Sequence, residues 1–259
     1  MTVPHLSPPI WGLVFVLCAS LLLWLLSLRL KDASIADIFW GPGMAGVVDI
    51  TAWLGGAGAT RASAVLVLVN LWAFRLAIHI WTRRKGEDRR YAVMRQHFGG
   101  NWWWLSLTQV FLLQAILIWF IPAPLVAALL YSHMPMTWAD HLGIGLAAAG
   151  LIFETLADNQ LAAFRADPAS RNQIMDRGLW GWSRHPNYFG ECVMWWGCFV
   201  IGYAASRQTW LLLSPILVTV LLLKVSGVSL MEESIASRRP GYADYRRRVS
   251  TFIPWKPKP

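Results

Sequence analysis

Gly178-Leu179-Trp180-Gly181-Trp182-Ser183-Arg184-His185-Pro186-Asn187-Tyr188-Phe189-Gly190-Glu191 carries an arginine, a histidine, an asparagine, a tyrosine and a glutamate into the apolar run 187–205. Polar groups at a membrane mouth are costly to dehydrate, so their crowding suggests a site that binds something charged. Pro186 suits the first turn of a helix, where its missing N–H costs nothing. The unpaired N–H groups and positive dipole end of that helix would face whatever Arg184 and His185 hold, and a phosphate is the natural occupant. A plain basic helix start at a membrane surface would look the same by position alone.

Outward from this stretch the chain is a membrane sequence. Of its 259 residues 56% are hydrophobic and 14% charged, with a mean hydropathy of +0.44, and the apolar residues come in long runs. A bilayer core needs about 20 apolar residues per helix. Seven spans are expected, at 10–29, 35–56, 62–82, 103–130, 139–163, 187–205 and 208–231. The expected fold is therefore all-α, a polytopic membrane protein with seven transmembrane helices forming one domain over 1–259. The first run is too long and too weakly basic in front for a cleaved signal peptide. Pro122 and Pro124 should kink or break the fourth,. Cys18, Cys192 and Cys198 sit in apolar runs and read as packing residues without metal or disulfide spacing,.

Lysine and arginine asymmetry sets the expected orientation. Arg29 and Lys31 follow the first span, Arg83, Arg84, Lys85, Arg89, Arg90 and Arg95 the third, and Arg165, Arg171, Arg177 and Arg184 the fifth. Arg238, Arg239, Arg246, Arg247, Arg248, Lys256 and Lys258 follow the seventh, whereas the opposite side has Arg61 and Arg207. The N-terminus is expected outside and the C-terminus in the cytoplasm, in a bacterial inner membrane. The net charge of +9 is then one-sided. In so apolar a chain it points to anionic lipid or a phosphorylated cofactor rather than nucleic acid.

Polar residues within the spans gather toward that basic side. Asp37 opens the second span, Arg75 and His79 lie four apart on the third, and Gln114 lies in the fourth,. Glu154, Asp158 and Arg165 follow one face of the fifth, Asn187 and Glu191 pair on the sixth, Lys224 lies in the seventh, and Glu232 and Glu233 close it. Each mid-depth polar group costs about 2.5–3.5 kcal/mol on insertion scales unless paired or wetted. Their gathering implies a polar cofactor cavity open to the cytoplasm and roofed by hydrocarbon, where a water-soluble cofactor meets a lipid-soluble substrate. Structural ion pairing, for example of Glu154 or Asp158 with Arg75, would use the same residues.

The loops fit that picture. Residues 82–91 are dense in phosphate-binding side chains around Tyr91. In the tail, Tyr242 and Tyr245 stand among arginines, suiting ring stacking and a phosphate grip, or an interfacial aromatic belt,. No Gly-x-Gly-x-x-Gly follows a strand, no phosphate loop occurs, and no cluster has metal-ligand spacing,.

These residues resemble the signature of the steroid 5α-reductase superfamily, in its bacterial and mostly uncharacterised branch. The matching motifs are Gly178-Leu179-Trp180, Ser183 to Glu191, Asp37-Ile38-Phe39-Trp40-Gly41, Glu87 to Tyr91, Glu154 to Arg165, Glu232-Glu233, Arg239-Pro240-x-Tyr242-x-x-Tyr245 and Phe252-Ile253-Pro254. They cover roughly residues 35–255, with the cofactor-binding half at about 140–255. The resemblance implies a seven-helix enzyme that uses NADPH to reduce the double bond of an enone, as in a 3-oxo-4-ene steroid. It implies cofactor contacts at Asp158, Arg165, Arg184, His185, Asn187, Tyr188, Glu191, Tyr242 and Tyr245, with Arg75, Arg83, Arg84 and Gln114 as further contacts. The Gln-Glu pair and tyrosine that grip the substrate carbonyl in better-known members are missing here. Asp37, which could donate only in its protonated form, and the loop residue Tyr91 are the candidate donors, and Trp72 stands near the tyrosine's place,. Membrane methyltransferases of the isoprenylcysteine carboxyl type, which bind S-adenosylmethionine, share an Arg-His-Pro-x-Tyr segment and are the alternative.

Overall fold

The computed structural model describes residues 7–56, 60–170, 173–225 and 241–258. Arg171, Glu232, Glu233, Arg238, Arg239 and Pro240, all named above, lie outside them. The described elements are helices α1 (Pro8–Leu30), α2 (Ile35–Gly55), α3 (Thr60–Arg83), α4 (Arg89–Phe98), α5 (Trp102–Ser106), α6 (Leu113–Phe120), α7 (Ala123–Leu130), α8 (Trp138–Ala166), α9 (Pro186–Ser206), α10 (Leu213–Val220) and α11 (Tyr242–Arg248). A π-helical segment, Leu107–Leu112, joins α5 to α6. The described residues hold no β-strand, and one isolated parallel bridge links Ser183 and Ser250.

Four described helical runs are long and apolar enough to cross a bilayer: Pro8–Leu30, Thr60–Arg83, Arg89–Leu130 and Trp138–Ala166,. The chain is an all-helical integral membrane protein. Its lipid-facing character shows in side chains such as Leu22, Leu71, Ile78 and Ile152, all exposed. The fourth run breaks where its prolines demand: α6 stops at Phe120 and α7 starts at Ala123,.

The chain divides into two compact units, Met1–Asp140 with Ile201–Leu211, and His141–Val200 with Leu212–Pro259. In the first unit, α2 packs closely on its neighbours through small residues. A Cβ at Gly41 would overlap the backbone of Ala73 on α3, and one at Gly43 would strike Ile118 of α6,. Met44, Val47, Val48, Val65, Val69, Trp72 and Ile118 form the buried interior.

This unit also holds polar pairs along α3. Arg61, in the first turn of α3, is fully buried, with its Nε 2.7 Å from Asp140 Oδ1. Its guanidinium also donates to the carbonyls of Tyr131, Met134 and Pro135, closing the turn between α7 and α8. Midway along the same helix Asn70 Nδ2 donates to Asp49 of α2 at 2.9 Å. Polar groups survive at these depths because each is paired.

In the second unit, α8 and α9 meet through glycines. A Cβ at Gly150 would strike the backbone of Met194, and one at Gly190 the backbone of Glu154. That close approach brings the acidic face of α8 against the first turns of α9.

Candidate functional site

The first unit builds its polar cluster from the α1–α2 turn. Asp32 accepts hydrogen bonds from the backbone N–H and hydroxyl of Ser34 and pairs with Arg84. Burial alone would raise the Asp32 carboxyl, but the Ser34 and Arg84 donors outweigh it and hold it below its ordinary value,. The segment before α4 docks on the same turn. Ser34 Oγ accepts from the backbone N–H of Asp88 at 3.0 Å, and Glu87 accepts from that of Ala33 at 2.9 Å. Glu87 is gripped at both oxygens by Arg95, at 2.7 and 3.1 Å. Asp88 caps α4 by accepting from the backbone N–H of Arg90,. Its carboxyl is also held low, the Arg90 donors and nearby Arg83 overcoming burial.

Tyr91, expected in a loop, is therefore a helical residue and is buried. The capped helix turns its ring inward, and its hydroxyl donates to Asp37 Oδ1 at 2.7 Å. Gln114 Nε2, on α6, reaches the Tyr91 oxygen at 3.1 Å and Asp37 Oδ1 at 3.3 Å. Arg90 lies 2.8 Å from the other Asp37 oxygen. Four side chains from α2, α4 and α6 thus share one network. Asp37, read from the sequence as a proton-carrying donor, is approached by three donors and is its acceptor. The hydroxyl of Tyr91 is the group that can turn toward a ligand. Gln114 Oε1 is buried and accepts no hydrogen bond from a described residue. Among the other cofactor candidates in this unit, Arg84 is committed to Asp32, Arg83 is exposed at the end of α3, and Arg75 is half-buried on α3.

The second unit holds the remaining candidates. Glu154 and Asp158 are buried on one face of α8. Asn187 Nδ2, in the first turn of α9, donates to Asp158 Oδ1 at 3.1 Å, and Asn187 Oδ1 is buried without a hydrogen bond from a described residue. The buried His185 ring stacks parallel on Tyr188 with centroids 5.6 Å apart. Glu191 follows one turn on, and Arg165 is exposed in the last turn of α8. Asp158, Asn187, His185 and Tyr188 are thereby gathered around the α9 N-terminus.

Arg184 turns to the chain's own C-terminal segment, which carries Tyr242 and Tyr245. The guanidinium of Arg184 donates to the carbonyls of Arg246 and Val249, at 2.7 and 2.9 Å, and to Thr251 Oγ1 at 2.8 Å. Both tyrosines are buried with Val249 against the partly buried Ile174, and the Tyr245 hydroxyl donates to the carbonyl of Trp180 at 2.7 Å. The indole N–H of Trp180 donates in turn to Ala157 of α8. Gly178 adopts φ +56° beside Gln160, which accepts from the N–H of Leu179,. The motif that opened the sequence reading is in large part a clamp that ties the tail to α8 and α9.

Sequence reasoning passed over Arg90 as a network member and the Arg61–Asp140 pair. A signal for Asp140 was present in Thr137-Trp138-Ala139-Asp140, since Thr137 N–H and hydroxyl both bond Asp140 Oδ2 as in a capping box,. The described residues hold no group of three or more His, Cys, Asp and Glu side chains that could ligate a metal.

Residues 23–249 match the family described as Protein of unknown function (DUF1295). The chain is also 25% identical over 280 residues to the "Uncharacterized protein C594.04c" of Schizosaccharomyces pombe, an alignment spanning 96% of this chain and 80% of that protein. No solved structure matches it.

Proposed function

We propose that this chain, which belongs to the DUF1295 family, is a membrane reductase that uses NADPH to saturate the carbon–carbon double bond of an enone lipid. A 3-oxo-4-ene steroid or a related isoprenoid is the substrate class, and the motif resemblance to steroid 5α-reductases supports the same reading. The observation that carries it is the buried Tyr91 hydroxyl, held between Asp37 and Gln114. Reducing an enone builds negative charge on its carbonyl oxygen, and a pre-oriented donor in a dry site stabilises that charge. Tyr91 turns its hydroxyl hydrogen from Asp37 to the carbonyl oxygen. Gln114 continues to donate to the Tyr91 oxygen, and Arg90 balances the charge on Asp37.

The cofactor, when bound, would supply the hydride to the enone β-carbon, and water the proton to the α-carbon. Asp158, His185, Asn187, Tyr188 and Glu191 would hold it, with Arg165 contributing positive charge. The buried Asn187 Oδ1 supports the fit, because Asp158 fixes the amide so that this oxygen can accept from a carboxamide or ribose donor,. Seven spans, a cytoplasmic cofactor cavity, an outside N-terminus and a cytoplasmic C-terminus in a bacterial inner membrane belong to the same proposal, supported by the one-sided arginines.

The experiment supplies detergent-solubilised protein with NADPH and a panel of 3-oxo-4-ene steroids and isoprenoid enones. The expected result is NADPH oxidation matched by an equal amount of saturated ketone. Methyl transfer from S-adenosylmethionine, with no enone reduced, would replace this reading by the methyltransferase one.

A further inference from the structure

The tail segment 249–258 is pinned along its length. Arg184 N–H donates to the carbonyl of Ser250 at 2.8 Å, Ser183 Oγ to that of Phe252 at 2.7 Å, and Trp255 N–H to that of Trp182 at 3.0 Å. Held this way, the strap borders two cavities of opposite character. The first, of about 320 Å³, is lined by six cationic side chains: Arg184, Arg246, Arg247, Arg248, Lys256 and Lys258. Asp244 answers Arg247 and Asp176 answers Arg248, while the exposed Lys256 and Lys258 carry no ion pair among the described residues. The second, of about 280 Å³, is almost wholly apolar, with Leu146, Phe189, Val193, Trp196, Phe252 and Ile253 in its wall. The strap passes from one to the other between consecutive residues, since Thr251 lines the cationic cavity and Phe252 the apolar one.

We infer that this strap is a binding site for an anionic phospholipid, with the phosphate headgroup in the cationic cavity and an acyl chain in the apolar one. A soluble phosphate would use the first cavity and leave the second unexplained. A neutral lipid would use the second and leave Lys256 and Lys258 unexplained. The rim supports a bilayer source: Trp182, Ile253 and Trp255 are 56%, 62% and 73% exposed beside those cations. Tryptophan next to lysine and arginine is the composition of a lipid headgroup boundary. The site uses neither Tyr91 nor Asn187 and stands independently of the reductase reading.

To test it, the full chain in a non-ionic detergent is mixed separately with phosphatidylglycerol, phosphatidylcholine, glycerol 3-phosphate and NADPH. Bound molecules are counted by native mass spectrometry, and the unfolding midpoint is read alongside. One retained phosphatidylglycerol per chain and a raised midpoint are expected, with neither effect from phosphatidylcholine or glycerol 3-phosphate. Lys256→Glu combined with Lys258→Glu should lower retention about tenfold or more. Val193→Trp, which fills the apolar cavity without altering charge, should also lower it, both variants keeping the lipid-free midpoint. Equal retention of phosphatidylcholine, or retention unchanged by either variant, overturns the assignment. A shift from glycerol 3-phosphate or NADPH that matches phosphatidylglycerol's overturns it in favour of a soluble ligand.

Discussion

Tyr91 donates to a carboxylate oxygen 2.7 Å away, and in the proposed reaction its hydroxyl turns from Asp37 to the substrate carbonyl. Replacing Tyr91 by Phe keeps the ring and removes the donor. If the hydroxyl stabilises a developing oxyanion, turnover should fall about 10²–10³-fold with little change in KM, measured as steady-state NADPH oxidation. The buried pair at the other end of α3 makes a stability prediction. Arg61→Met or Asp140→Asn alone leaves an uncompensated buried group and should cost about 3–5 kcal/mol in detergent unfolding, whereas Arg61→Met with Asp140→Leu should cost much less,. Asp32 supplies a pH dependence. Its carboxyl is held below the ordinary value, so its contribution is complete above the ordinary carboxylate range and is lost as pH falls beneath it,. Asp32→Asn should flatten that acidic limb in a midpoint-against-pH series. Asp37, Tyr91 and Gln114 were legible as residues because polar groups in an apolar run stand out. Their roles were not, since donor and acceptor depend on Arg90 and on a helix cap that only the fold brings near.

Helices α8 and α9 owe their close approach to Gly150 and Gly190, and that approach sets Asn187 against Asp158. Gly190→Leu should force them apart, costing about 1–3 kcal/mol and weakening cofactor binding as well, read as unfolding midpoint with and without NADPH. Both helix ranges were readable from apolar runs and from Pro186 at the α9 start. The clamp between residues 178–184 and the tail was not. Arg184, Tyr242 and Tyr245 looked like ligand groups because residue type reveals a donor but not its acceptor, and here the acceptors of Arg184 and Tyr245 include backbone carbonyls far along the chain. Arg184→Ala would leave the buried Val249 carbonyl without that donor. The tail should then loosen, seen as faster proteolysis within residues 246–258.

At the scale of the molecule, the amino-acid pattern already declared an α-helical membrane protein, because bilayer thickness dictates the length of apolar runs,. The proposed reductase activity depends on which nucleotide the cluster of the second unit would hold. Thermal unfolding of the purified chain with NADPH and with S-adenosylmethionine, each at saturating concentration, tests it most directly. At about 100 times Kd a bound cofactor adds ~2.7 kcal/mol of stability. A raised midpoint with NADPH, reduced in Asn187→Ala, and none with S-adenosylmethionine is expected. A rise with S-adenosylmethionine and none with NADPH would contradict it.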